Sequence, residues 1–195
     1  PVPPEAAARI PVPQCLYYGK EVWESAAAAL LCGQHLLLAG PKATGKNVLA
    51  ENLAAVFGRP AWDVSMYVNV DAAALIGADT LQKGEVVFRE GPICRCARLG
   101  GFATLDHRRV IDVPGYERIT LDDATRFIGT MNYGYAGTRE LNEALVSRFA
   151  VLDMPVISDT DLPKLLRRTF PTLSAKWAEQ FALLFRDLPQ KCDSG

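Results

Sequence analysis

The chain has 195 residues, 49% of them hydrophobic, and a formal net charge of −1. That is enough apolar chain to bury a real core, in one large domain or two small ones. The near-neutral balance supplies no overall basic field for nucleic acid, which speaks against it as a partner. No apolar run reaches the roughly eighteen residues of a membrane span. Ala26–Leu38 comes nearest, and Cys32-Gly33-Gln34-His35 interrupts it.

From the start, Pro1–Pro13 is rich in Pro and Ala and reads as an extended arm, with residues 1–16 taken together as an N-terminal segment. No signal peptide is recognised there. A helix is expected from about Lys20 to Cys32, its alanine-rich face suited to close packing on a sheet. Gly33-Gln34 turns the chain into Leu36–Ala39, an apolar run of the length and composition of a buried parallel strand.

Gly40-Pro41-Lys42-Ala43-Thr44-Gly45-Lys46 then fits G-x-x-x-x-G-K, and a helical pattern follows with Leu49, Leu53, Val56 and Phe57 on one face and Gly58 as its stop. Strand, glycine-rich loop and helix in this order make a phosphate site. Backbone N–H groups and the helix N-terminus form a concave anion cradle, and Lys46 adds a point charge. Asn47 stands where Ser or Thr would hold Mg²⁺; its side-chain carbonyl is also a hard-cation donor.

Beyond the loop, Ala61–Met66 is strand-like, with Trp62, Val64 and Met66 alternating, and Asp71–Ile76 reads as one helical turn. Gly84–Pro92 reads as a hairpin strand ending at a Gly-Pro breaker, with Glu85 and Arg89 as surface charges. Ile93–Leu99 reads as a helix. Gly101–Asp106 is an apolar strand ending in an acid. Val110–Val113 and Tyr116–Leu121 flank Pro114-Gly115 as a hairpin. Arg126–Asn132 is a further buried strand with a polar carboxyl end, Leu141–Arg148 a helix, and Phe149–Met154 a last strand. Asp161–Thr169 and Ser174–Leu188 are amphipathic helices, the second with Trp177, Phe181, Leu184 and Phe185 on one face.

Apolar strands without period two, alternating with helices, imply a parallel α/β sheet flanked by helices. Ligands in such sheets sit at the carboxyl ends of the strands. The loop Gly40–Lys46, Asp106 and Asn132 all fall on that edge. The five cysteines, Cys15, Cys32, Cys94, Cys96 and Cys192, are odd in number and irregular in spacing. They suit reduced thiols in a cytoplasmic protein better than a disulfide framework. Cys94-x-Cys96 is too close for a usual zinc pair.

The residues Gly40–Asn47, Leu75-Ile76-Gly77 with Gly84–Pro92, Gly100–Asp106, Gly129-Thr130-Met131-Asn132 and Leu141–Phe149 together resemble the MoxR-type AAA+ ATPases, near the CbbQ/NorQ-like and dynein-related branches. The resemblance runs from about Tyr17 to Met154. It implies a P-loop NTPase core over 17–156 and the start of a helical lid over 157–195. It also implies ATP and Mg²⁺ as ligands and a head-to-tail ring, a hexamer.

By the same resemblance, Gly40, Pro41, Lys42, Ala43, Thr44, Gly45, Lys46, Asn47 and Val48 hold the nucleotide phosphates. Tyr18 and Gly19 belong to the segment lining the adenine pocket. Asn47 and Asp106 serve the metal, Asn132 orients the attacking water, and Arg148 is a finger acting on a neighbouring subunit. A client protein, with a von Willebrand A-type partner, is the implied substrate. Competing readings are a nucleotide-dependent DNA motor or restriction subunit, and a nucleotide-binding scaffold that does not hydrolyse.

Three departures from the pattern stand out, one being that the sequence ends before the further lid helices that would bear the family's sensor 2 arginine. In the other two, His107 occupies the place of the catalytic glutamate after Asp106, and His107–Ala124 lacks the helical crossover that a parallel connection needs. These two absences have one explanation, in which further residues of the natural polypeptide lie between Asp106 and His107. A break at Ala103–Thr104 would instead make Asp106 a helix-end residue.

Overall fold

The computed structural model describes residues 2–63, 75–82, 84–101, 110–111, 119–120, 122–132 and 149–192. Two elements flank the P-loop strand in the chain, α2 (Lys20–Leu31) before it and α3 (Lys46–Val56) after its loop. The strand itself, β1 (His35–Gly40), is the centre of a three-stranded parallel sheet. On one side it pairs with β6 (Ile128–Asn132), on the other with β7 (Phe149–Asp153).

Both faces of β1 are covered, which is why its sequence is a continuous apolar run. Leu36 and Leu38 point to one face, among Ala26, Ala29 and Leu30 of α2 and Leu49, Leu53 and Ala54 of α3. Leu37 points to the other, among Trp62, Ile93, Cys94, Cys96, Ala97, Phe127 and Phe149. Small side chains on α2 bring that helix close, as its alanine pattern requires. Both helices end by the same device. Gly33 at φ +82° and Gly58 at φ +58° reverse the chain, with Gln34 N–H donating to Ala29 O and Arg59 N–H to Ala54 O.

The remaining elements surround this centre. A short helix α1 (Pro4–Ala7) opens the chain, so the N-terminal segment is not extended throughout. Proline at the first helical position, with its φ preset, favours that turn. Ala61 N–H donates to Arg9 O, which ties the segment to the core. β2 (Gly77–Gln82) and β3 (Glu85–Glu90) form an antiparallel hairpin, followed by α4 (Pro92–Leu99). The expected strand over 84–92 is therefore the second arm of a hairpin whose first arm, Gly-Ala-Asp-Thr-Leu-Gln, carries little strand propensity of its own.

β4 (Val110–Ile111) pairs antiparallel with β5 (Ile119–Thr120), as the Pro114-Gly115 punctuation predicts. Two helices close the chain, α5 (Leu162–Thr169) packed on α6 (Ala175–Cys192). Among the described side chains of α6, those covered are Ala178 and Ala182. Trp177, Phe181, Leu184 and Phe185, the expected apolar face, are exposed. The helix expected over Leu141–Arg148 and the strand ends Val64 and Met66 lie outside the described residues.

Candidate functional site

The carboxyl end of β1 opens into the glycine-rich loop. Gly40 has no side chain there for a steric reason: a Cβ would sit 2.6 Å from Met154 O, at the point where Met154 N–H donates to Ala39 O. Ala43 takes φ +62°, a left-handed conformation that costs an L-residue about 1–2 kcal/mol. Gly45 follows at φ +80° as the residue before α3, and Leu49 N–H donates to its carbonyl. The loop is thus a strained, curled segment whose amides open at a helix N-terminus, the geometry of an anion cradle.

Lys46 is buried within this curl. Its Nζ donates to Gly40 O at 3.0 Å, to Pro41 O, and to Thr44 Oγ1 at 3.0 Å. Thr44 Oγ1 in turn donates to Pro41 O. Burial pushes the Lys46 ammonium below its ordinary range. Among the described residues no carboxylate balances this buried cation, and a bound anion would supply that balance.

A cavity of about 380 Å³ lies over the loop, lined by Lys42 to Val48 and, across the sheet, by Thr130, Met131 and Asn132. Its size is that of a small-molecule site. Asn132 arrives there through strand register, since β6 ends level with β1 and pairs Asn132 with Gly40. Asn47 is exposed on the cavity wall. Lys42 is exposed on the same wall.

Tyr18 and Gly19 do not line this cavity, and the residue before them makes the contact. A Cβ on Gly45 would lie 3.1 Å from the Tyr17 ring, and one on Gly19 2.9 Å from it. The ring therefore packs on the loop and on its own turn, and burial pushes the phenol upward. Buried Asn52 of α3 fixes this segment, accepting from Tyr17 N–H at 3.1 Å and donating to Cys15 O at 2.9 Å. No periodic pattern marks that clamp in the chain, because both partners are backbone groups of an irregular segment.

Asp106 and Arg148 lie outside the described residues, as does the step from Asp106 to His107. Among the described residues no cluster of His, Cys, Asp or Glu could hold a metal. Of the two residues expected to serve Mg²⁺, Asn47 is described, and its amide oxygen is a hard donor that would fit such an ion. For a nucleotide the fit is fuller. The cradle, the anion-seeking Lys46 and a cavity of suitable size coincide.

Comparison with known proteins agrees with this geometry. Residues 35–107 match the model of the AAA domain, dynein-related subfamily. The chain is 32% identical over 190 residues to the uncharacterized protein YojN of Bacillus subtilis, covering 86% of this chain and 62% of that protein. It is 29% identical over 191 residues to an uncharacterized protein of Staphylococcus aureus strain USA300, covering 86% of this chain and 73% of that one.

In three dimensions the fold is similar to a Cytophaga hutchinsonii crystal structure described as a "putative ATPase". The TM-score is 0.56 at 16% identity, over 91% of this chain and 60% of the other. The chain thus spans about three fifths of the length of the Bacillus relative. The residues matched by that domain model include the strand, loop and helix of the site. The fold is the α/β core of the AAA+ P-loop NTPases, a parallel sheet flanked by helices.

Proposed function

We propose that the chain is the nucleotide-binding core of a MoxR-type AAA+ motor that binds ATP with Mg²⁺, hydrolyses it, and uses the cycle to remodel or assemble a partner protein. The observation that carries this reading is the single cavity uniting the loop Lys42–Val48 with Asn132 at one sheet edge. Phosphoryl transfer asks little covalent chemistry of a protein; positioning and charge stabilisation do most of it. Lys46 and the loop amides hold the phosphates, Asn132 orients the attacking water, and the Tyr17-Tyr18-Gly19 segment borders the adenine side. Asn47 and Asp106 would hold Mg²⁺, which would supply neutralisation of the phosphate charge.

On this reading Arg148 reaches the site of the next subunit, which requires a head-to-tail interface. Such interfaces close into rings, and a hexamer is the form proposed. Residues 17–156 make up the core and 157–195 the start of a lid, in a cytoplasmic protein whose partner is of von Willebrand A type. A non-hydrolysing scaffold is the second reading, favoured by Asn47 in place of a hydroxyl and by His107 in place of an acid.

The test is Lys46→Ala. ATP affinity should fall about tenfold to a hundredfold, the worth of a charge-assisted bond to phosphate. Far-UV circular dichroism should be unchanged. ATP bound as tightly by the variant as by the parent would rule the site out. Tight binding by the parent without phosphate release would favour the scaffold.

A further inference from the structure

Cations also gather away from the P-loop. A cavity of about 280 Å³ opens between the N-terminal segment, β3 and the start of α4, and Arg9, Trp62, Arg89, Glu90 and Arg95 line it. The three arginines come from three separate elements. The Arg9 guanidinium lies 5.1 Å from the centre of the Trp62 indole. Stacking of that kind fixes the guanidinium plane and leaves its N–H donors free at the edge.

Glu90 is the cavity's carboxylate, and it is committed at 2.9 Å to Arg98. Among the described residues the side chains of Arg89 and Arg95 have no acidic partner. The Trp62 indole N–H is the one buried side-chain polar atom among the described residues without a hydrogen-bond partner, and buried donors are almost always paired. α4 also begins here, at Gly91 and Pro92, with no side chain capping its first N–H groups. Its partial positive charge adds to the same field.

We propose that Arg9, Arg89 and Arg95 form a second oxyanion site, separate from the P-loop, that takes a single phosphate group. The cavity is smaller than the one over the P-loop, and its three guanidinium groups suit an oxyanion. A phosphate, with up to two negative charges and several acceptor oxygens, matches three forked donors better than a carboxylate does.

The probe is inorganic phosphate, titrated calorimetrically into the whole chain carrying Lys46→Ala, which removes the P-loop cation. Phosphate binding should persist there and weaken as salt rises. Arg89→Gln and Arg95→Gln, added singly, should each weaken it about tenfold. Glu90→Gln, which subtracts the cavity's negative charge, should tighten it. Both arginines are exposed, so glutamine leaves the fold intact, and circular dichroism checks this. No phosphate binding in the Lys46→Ala protein overturns the proposal, as does binding that neither arginine substitution moves.

Discussion

Asn132 and Gly40 are register partners at the carboxyl end of the β6–β1 ladder. The polar end of one strand is thereby set beside the first residue of the phosphate loop, at a spacing that backbone hydrogen bonds fix. Neither residue depends on a loop for its placement. If Asn132 orients the attacking water, Asn132→Ala should lower ATP turnover about 10²–10³-fold, the usual loss for one preorganised donor. ATP affinity should be nearly unchanged. A phosphate-release assay beside an equilibrium binding measurement separates the two, and equal losses in both would assign Asn132 to binding.

Lys46 makes a prediction about pH. Burial lowers its proton affinity in the folded chain below the ordinary 10.5. Between the lowered value and 10.5 the unfolded chain holds more protons than the folded one, so the Lys46 contribution to stability rises with pH across that alkaline window. Phosphate binding has the opposite sign, because it needs the ammonium. The thermal stabilisation given by ATP should therefore decline as pH rises toward 10.5. Lys46→Arg, whose charge persists, should flatten that decline even if it binds less well.

Asn52 is buried with both ends of its amide engaged, at Tyr17 N–H and Cys15 O. Asn52→Leu leaves a donor and an acceptor unpaired and should cost about 1–3 kcal/mol. Urea unfolding measures the loss. Faster hydrogen exchange at the Tyr17 amide would show that it begins with release of the segment from α3.

Arg148 can be tested by mixing. As a finger in trans, Arg148→Ala should keep ATP affinity and lose turnover, by about 10³–10⁵-fold for a full finger. Combined with Lys46→Ala subunits it should regain part of that turnover, since some sites then pair an intact P-loop with an intact finger. An oligomeric Arg148→Ala preparation with full turnover would show that this arginine does not act on the phosphate.

What could be read from the chain alone was whatever a short stretch specifies by itself. Leu36–Ala39 is apolar because β1 is buried on both faces, and G-x-x-x-x-G-K specifies a backbone path. Gly58 and Gly33 mark helix ends that need a left-handed residue. The missed or altered elements depend on distant partners. Gly77–Gln82 is a strand because Glu85–Glu90 supplies its ladder. Tyr17 meets Gly45, and Asn52 meets Cys15, through contacts without any period. On α6, Ala178 and Ala182 are covered while Trp177, Phe181, Leu184 and Phe185 are exposed, where hydrophobic spacing favours the opposite face.

The central place of β1 has a consequence for the order in which the molecule is made. Both strands that pair with β1 are encoded far downstream, at Ile128–Asn132 and Phe149–Asp153. Such pairings are slow, because long loops must close before any contact rewards them. A ribosome that has released the whole glycine-rich loop has still to deliver both of its supports. Until residue 154 emerges, Ala39 has no Met154 amide to hold it and the loop stands at the end of an unpaired apolar strand. The phosphate site is written early in the chain and becomes a site late, so conditions that slow elongation past Asn132 should prolong the aggregation-prone interval of the nascent protein.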